Sequence, residues 1–329
     1  MDYFPDVAKD VTGDCINGYA AGKQTFYAII VAGKTTMKNR VLNERDLRAL
    51  RIFCVAAQAG GFSAAENKLN MTKTTISRQI KSVEDTLGAR LCSRGPQGFE
   101  LTEAGKAALV YAQEALDALD RIFPAIDASR EIISGDLSIG FSDNIIGNPG
   151  GFLHLALKEL HHTAPLVNLS LHTLTAPQLI QALLDRKLDI ALKGIMEHQK
   201  VISLRYIELY SESHQLYFIG SEVTGEKRPV VFRHQQAFVE ESISRMGYRR
   251  GPEANGIEAV AMLIATGQYV GILPTHYADL LRPVLPLQEV PGTPRWEVKH
   301  YAVTHGSRPL SPAAETMLKL LLSSHRRQS

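Results

Sequence analysis

Cysteine is scarce in this chain of 329 residues, with only Cys15, Cys54 and Cys92. An odd, sparse set cannot frame a disulfide-stapled fold and suits a reducing compartment. There is no excess of either charge: Lys and Arg total 36, Asp and Glu total 34, and the formal net charge is +2. Any nucleic-acid binding must therefore come from a local basic face. No apolar run approaches the length of about 20 residues that crosses a bilayer; the longest near the start covers only 26–32. The beginning of the chain also lacks a basic stretch followed by an apolar one and a small-residue cleavage site, so a cytoplasmic location is expected. What is present is ordinary: 45% hydrophobic and 21% charged residues. That composition excludes a mainly disordered or collagen-like chain, and the length suits roughly two domains.

Residues 1–41 show no sustained periodicity and read as a weakly ordered N-terminal extension; Met37 precedes the first patterned segment, so 1–36 also fits an upstream choice of start site. Within it, Gly33-Lys34-Thr35 loosely matches a phosphate-binding loop. The preceding Ile29-Ile30-Val31-Ala32 is apolar, and nothing nearby supplies a strand-loop-helix context, so nucleotide binding is not expected.

From Leu42 onward the pattern is helical. Leu47, Leu50, Phe53 and Cys54 share one helix face. Gly60-Gly61 interrupts it, and Ser63-Ala64-Ala65-Glu66 has the spacing of a capping box with Phe62 as an apolar staple. Asn70-Met71 makes a turn, and Thr72 is the next N-cap candidate. In the third helix Ile76, Ile80, Val83 and Leu87 form an apolar stripe. Its other faces carry Lys73, Thr74, Thr75, Ser77, Arg78 and Lys81, with no acidic residue before Glu84. Gly88 ends it, and Ser93 to Gly98 is a turn-rich tip between two short extended pieces, a β-hairpin wing with Arg90 and Arg94 on it. Alone, the basic face could be a solvated helix surface. A preceding helix, a turn, an opposed apolar stripe and a wing turn it into a DNA-reading face, because the start of such a helix fits the major groove. Ser63 and Thr72 join it as contacts near the helix starts.

Residues 103–128 read as one long helix with apolar positions spread too widely for a single face. It is either buried within its domain or packed on a partner helix, and the amount of apolar surface favours the partner. After Gly135 strands and helices alternate, with strands near 137–141, 167–171, 188–192, 215–219, 229–232, 270–273 and 299–303. Helices are expected at 152–163, 177–186, 237–246, 257–266 and 313–322. The alternation indicates a parallel-type α/β sheet, where ligands bind at the carboxyl ends of strands. Candidate ligand-binding residues in those loops are Ser142, Asp143, Asn144, Thr173, Thr175, Lys193, Arg233, Asn255 and Gly256. Hydroxyls, amides and helix N-termini near Lys193 or Arg233 favour a small carboxylate.

Residues 42–105 resemble the N-terminal domain of LysR-type transcriptional regulators. The likeness rests on Phe62-Ser63-Ala64-Ala65, Ile76-Ser77-Arg78-Gln79-Ile80, Glu84, Leu87-Gly88, Arg90-Leu91 and Leu101-Thr102-Glu103-Ala104-Gly105. Gly135-Asp136-Leu137-Ser138-Ile139-Gly140, Leu188-Asp189-Ile190-Ala191 and Gly271-Ile272-Leu273-Pro274 extend it more loosely over the rest. The resemblance implies a winged helix-turn-helix (42–102), a linker and dimerisation helix (103–128) and an α/β effector domain (129–329). That domain would have two Rossmann-like lobes, similar to type 2 periplasmic binding proteins. Lobe one would cover 136–200 and 301–325, and lobe two 201–300. Double-stranded DNA at a promoter, a small-molecule effector, a homodimer that pairs into a homotetramer, and RNA polymerase are the partners it suggests. Two departures stand out. Lys73 and Thr74 occupy positions where the family often has Gln and Pro, and Cys92 stands where an aromatic is usual.

No cofactor is implied. His161-His162, His172, His198 and His214 lack the ligand spacing of zinc sites. The region after Gly135 holds no cysteine, which excludes a thiol-disulfide sensor there. No nucleophile elbow or paired-carboxylate motif appears, so an enzyme is not expected. The competing readings are a solute-binding protein, which has no use for residues 42–101, and a phosphate-loop enzyme, which needs Gly33 to Thr35 ordered around nucleotide.

Overall fold

A computed structural model describes residues 41–95, 98–143, 145–196, 199–221, 227–233 and 237–326. The expectations for 1–40, including the Gly33 segment, lie outside the described residues. The chain divides into two compact units, one ending at Gln113 and the other beginning at Glu114.

The first unit is built on three helices: α1 (Glu44–Gln58), α2 (Phe62–Leu69) and α3 (Lys73–Leu87). Asn43 caps α1, accepting from the Arg45 and Asp46 amides, while Asp46 accepts from the Asn43 amide. Asp46 is buried and takes the Thr86 hydroxyl at 2.9 Å, which ties α1 to the end of α3. Ala49, Leu50, Phe53, Ile76, Ile80 and Val83 form the buried interior. Leu87, the last member of the expected stripe, is half-buried.

The capping box at Ser63 is not formed. The N-cap is Gly61, so Ser63 lies inside the first turn of α2. Gly61 has a φ of 148°, a conformation that only glycine adopts cheaply, and this advances the helix start by two residues. Phe62 is therefore the first helical residue, and its ring meets Phe99 edge-on at 5.3 Å. Glu66 instead accepts from the Lys73 amide at 2.6 Å.

The wing is an antiparallel pair, β1 (Cys92–Gly95) and β2 (Gly98–Leu101), with Cys92 opposite Leu101. Glu84 anchors its base, accepting from the Leu91 amide at 2.7 Å and the Cys92 amide at 3.2 Å. Thr102 donates its hydroxyl to the Arg90 carbonyl and accepts from the Gly105 amide, starting the next helix.

The expected single helix over 103–128 is two: α4 (Glu103–Asp120) and α5 (Ile122–Ala128), with a turn at Arg121. Pro124 explains the break. In a continuous helix its ring would press on the Asp120 carbonyl, which it also could not serve as a donor.

The second unit is a mixed sheet with helices around it. The order of strands is β4 (Leu166–Thr173), β3 (Ser134–Phe141), β5 (Ile190–Ile195), β11 (Trp296–His305), β6 (Leu204–Phe218) and β10 (Gln288–Glu289), and β9 (Gly271–Pro274) also pairs with β6. Only β3 with β4 and with β5 is parallel; β11 runs antiparallel to β5 and β6, and β9 and β10 antiparallel to β6. The expectation of a parallel-type sheet thus holds only at one end. Beside it, β7 (Val230–Phe232) and β8 (Arg250–Glu253) form a parallel pair. The helices are α6 (Leu153–Thr163), α7 (Ala176–Leu184), α8 (Ala237–Met246), α9 (Ile257–Ala265), α10 (Thr275–Leu281) and α11 (Pro312–Arg326).

Two sets of apolar cores define two lobes. Leu137, Ile139, Ala156, Ile190 and Met317 share one core with Ile207 and Leu209 packed against it, and Leu204 joins its neighbour beneath α7. Leu216, Val230, Ile272, Trp296 and Val298 belong to the other side. The lobes therefore meet inside β6 and β11, two strands that pass through both; 300/301 lies within β11, whereas 200/201 precedes β6. A register shift between His300 and Tyr301 bends the pair at that seam.

Candidate functional site

The sequence-derived DNA-reading residues cluster at the start of α3 and the base of the wing. Thr72 caps α3, its hydroxyl accepting from the Thr75 amide at 3.4 Å. Lys73, Thr74, Arg78 and Lys81 are exposed, while Thr75 and Ser77 are half-buried. Ser63, in the first turn of α2, and Arg90, just past the Gly88 cap, are also exposed. The Arg94 backbone lies in β1; its side chain is outside the described residues. Ile76, Ile80 and Val83 are buried on the opposite side of α3, which holds its cationic strip outward. The first turn of α3 carries no acidic residue of its own; the carboxylate at its start is that of Glu66, on the Lys73 amide.

In the second unit a cleft of about 1030 Å³ opens between the lobes. Ser142, Asp143, Thr173, Thr175, Lys193, Arg233, Asn255 and Gly256 all line it. Eight of the nine ligand candidates are thus brought to one cavity, and Asn144 is outside the described residues. Lys193 sits on β5 with a relative exposure of 8%. Burial pulls its ammonium below the ordinary lysine value, and among the described residues no carboxylate pairs with it. Burial likewise lowers Arg233, against the pull of the Asp143 and Glu212 charges. The Gln178 carbonyl accepts from both the amide and the hydroxyl of Thr175 at the start of α7.

The opposite wall was not anticipated. Glu212 is nearly buried, and three histidines face it: His214 Nε2 at 2.8 Å, His300 Nε2 at 3.4 Å and His276 Nδ1 at 3.8 Å. Asn148 donates to its second oxygen at 2.5 Å. Burial pushes the carboxyl upward, but the hydrogen bonds and charges of His214 and His300 outweigh it and hold Glu212 well below the usual carboxylate range. Tyr210 stacks on His300 with ring centroids 4.7 Å apart. Among the described residues no cluster is arranged to hold a metal ion.

Comparison with known proteins joins the two sites. Residues 47–106 match the family described as "Bacterial regulatory helix-turn-helix protein, lysR family", and residues 224–326 match "LysR substrate binding domain". The chain belongs to the LysR-type transcriptional regulator family. It is similar to the HTH-type transcriptional activator BauR of Pseudomonas aeruginosa, 29% identical over 74% of this chain and 86% of that one. It also resembles the SDS degradation transcriptional activation protein of a Pseudomonas species, 28% identical over 84% of this chain and 95% of the other. Among solved structures, full-length CbnR complexed with its target DNA shares the fold, with a TM-score of 0.55, 21% identity and 86% of this chain covered, against 99% of CbnR. Full-length OxyR from Pseudomonas aeruginosa does so with a TM-score of 0.61, 20% identity and 85% of this chain covered, against 94% of OxyR.

This LysR-type regulator therefore combines a DNA-binding domain with an effector-binding domain. The sequence reading overlooked Glu212, His214 and His300 as a group because it placed only 215–219 of β6 in a strand. A usable signal was there: Tyr210, Glu212 and His214 alternate, so they share one strand face. His300 and His276 arrive through long-range pairing and carry no local signature. His161, His162 and His172 are exposed, and His198 is outside the described residues.

Proposed function

We propose that this regulator reads operator DNA through Thr72, Lys73, Thr74, Thr75, Ser77, Arg78 and Lys81 in the major groove. Ser63, Arg90 and Arg94 would supply flanking contacts to phosphate or the minor groove. A small carboxylate, bound between the lobes of the effector domain, controls its activity in the cytoplasm. The reading is of a binding protein, not an enzyme. Copies pair through the 103–128 helices and dimers pair again into a tetramer, so that changes in lobe orientation alter the spacing of the DNA-binding heads. Such control requires the effector to prefer one arrangement over the other.

Lys193 is the observation that carries the carboxylate. A buried ammonium is costly unless paired, and this one lines the cleft without a carboxylate among the described residues to neutralise it. Thr173, Thr175 and Asn255 add hydrogen-bonding groups around it. A panel of small organic acids tests the reading by thermal shift, on the wild type and on Lys193→Met. At least one acid should raise the melting temperature of the wild type, and the effect should vanish in Lys193→Met. A panel in which no acid stabilises the wild type, or one that stabilises both proteins equally, sinks the carboxylate assignment.

A further inference from the structure

One anion seat of the cleft is occupied by the chain itself. The helix α9 begins after Gly256, whose lack of a side chain leaves the first amides without a local acceptor. The acceptor comes from the other lobe. Asp143, in the loop after β3, takes the Ile257 amide on Oδ2 at 3.1 Å, across 114 residues of sequence. A Cβ at Gly256 would lie 3.3 Å from that same oxygen, so the glycine leaves only enough room for the carboxylate. Arg233, next to this seat, feels the Asp143 charge. Helix start and guanidinium together make a ready-made anion seat, and the Asp143 carboxylate occupies it. Lys193, buried on the same cleft, has no such internal partner among the described residues.

We infer that Asp143 is an internal competitor of the effector: its carboxylate holds the α9 N-terminus where an effector's acidic group would sit, and it bridges the two lobes until displaced. This rests on reading the cleft as an acid-binding site. Displacement exchanges one carboxylate for another at the helix start, so the charge there is conserved while the inter-lobe bond is lost. Ligand binding is thereby coupled to lobe movement without any covalent change. Asp143 also sets the effector threshold, because every bound acid must outcompete it.

The full chain tests this with Asp143→Asn, which keeps an acceptor oxygen but removes the charge, and Asp143→Ala, which removes both. Acetate serves as the carboxylate probe, followed by melting temperature. The half-saturating acetate concentration should fall about five-fold in both variants, the scale of one charge at a helix start. Hydrogen exchange at the Ile257 amide, without acetate, should accelerate in Asp143→Ala and stay near wild type in Asp143→Asn. Unchanged exchange in Asp143→Ala overturns the bridge, and an unchanged or higher acetate requirement in Asp143→Asn overturns the competition. Lys193→Met separates the two readings. If acetate still stabilises that variant as it does the wild type, the carboxylate assignment at Lys193 falls, while exchange at Ile257 still decides the bridge.

Discussion

Glu212 keeps its charge in a place that should neutralise it, because His214, His300 and Asn148 direct donors at its two oxygens. A carboxylate held below its ordinary value stabilises the fold above that value and loses the contribution as pH falls. For Glu212 the loss should begin below about 4.5, the unperturbed value, and continue downward. Glu212→Gln should cost about 1–3 kcal/mol at neutral pH, the scale of a charged hydrogen bond. It should also flatten the acid limb of a melting-temperature profile; an unchanged limb would remove Glu212 from the account. At the DNA face, Arg78→Ala should weaken operator binding by roughly 1–3 kcal/mol. Fluorescence anisotropy on a promoter duplex checks it, and equal affinity for both proteins would take Arg78 off the reading surface. Gly105 illustrates a third residue-level constraint: a Cβ there would lie 1.9 Å from the Leu91 carbonyl oxygen. Backbone meets backbone at that point, so Gly105→Ala should destabilise the winged domain by about 2 kcal/mol or more, read from chemical denaturation.

At the scale of elements, α4 and α5 show why an amphipathic pattern can mislead. Ala112 and Leu116 are buried, yet Val110, Tyr111, Leu119, Ile122, Phe123 and Ile126 are exposed, Phe123 at 78%. Such a density of exposed apolar groups along two successive helices is uncommon on a monomer surface, and a second copy of the chain is the occupant proposed for it. Phe123→Asp with Ile126→Asp should remove the helix interface and reduce the assembly below the wild-type oligomer in sedimentation while leaving the circular dichroism unchanged. Retention of the wild-type oligomer would place the interface elsewhere. In the same half of α4, Arg186, whose side chain is only 8% exposed, pairs with Glu114 and Asp117 at 2.8 Å each. Arg308 reaches Asp117 and Asp189, and Asp189 also accepts the Ser138 amide at 2.9 Å. The Leu188-Asp189-Ile190-Ala191 segment thus carries a fold-holding carboxylate, and burial pushes its pKa above the ordinary aspartate value. In the winged domain, Glu84 plays a similar part toward β1.

In the molecule as a whole, the effector unit is two lobes that share two strands. Because β6 and β11 contribute to both cores, the lobes should unfold together. Trp296, the single tryptophan, reports on the second core. Its fluorescence and the exchange of β3 amides in the first core should give coincident urea midpoints, and separated midpoints would show independent lobes. The winged helix-turn-helix, most strands and helices of the effector unit, and the loops that meet at the cleft were legible in the sequence. Helix stripes, caps and strand alternation are written in neighbours a few residues apart. The capping of α2, the break at Arg121, the mixed direction of the sheet and the extent of β6 were not. A glycine at positive φ, a proline clash and antiparallel pairing across ninety residues decided them. By itself, then, the sequence determined the elements, the cationic strip of α3 and the list of candidate ligand groups. Only the tertiary structure decided that Glu212 is ringed by His214, His276 and His300, that Lys193 is buried without a counter-ion among the described residues, and that Asp143 caps a helix in the opposite lobe. The physical reason is distance along the chain: periodicity records what adjacent residues need, whereas charge pairing and desolvation depend on partners that only folding brings to between 2.8 and 3.8 Å.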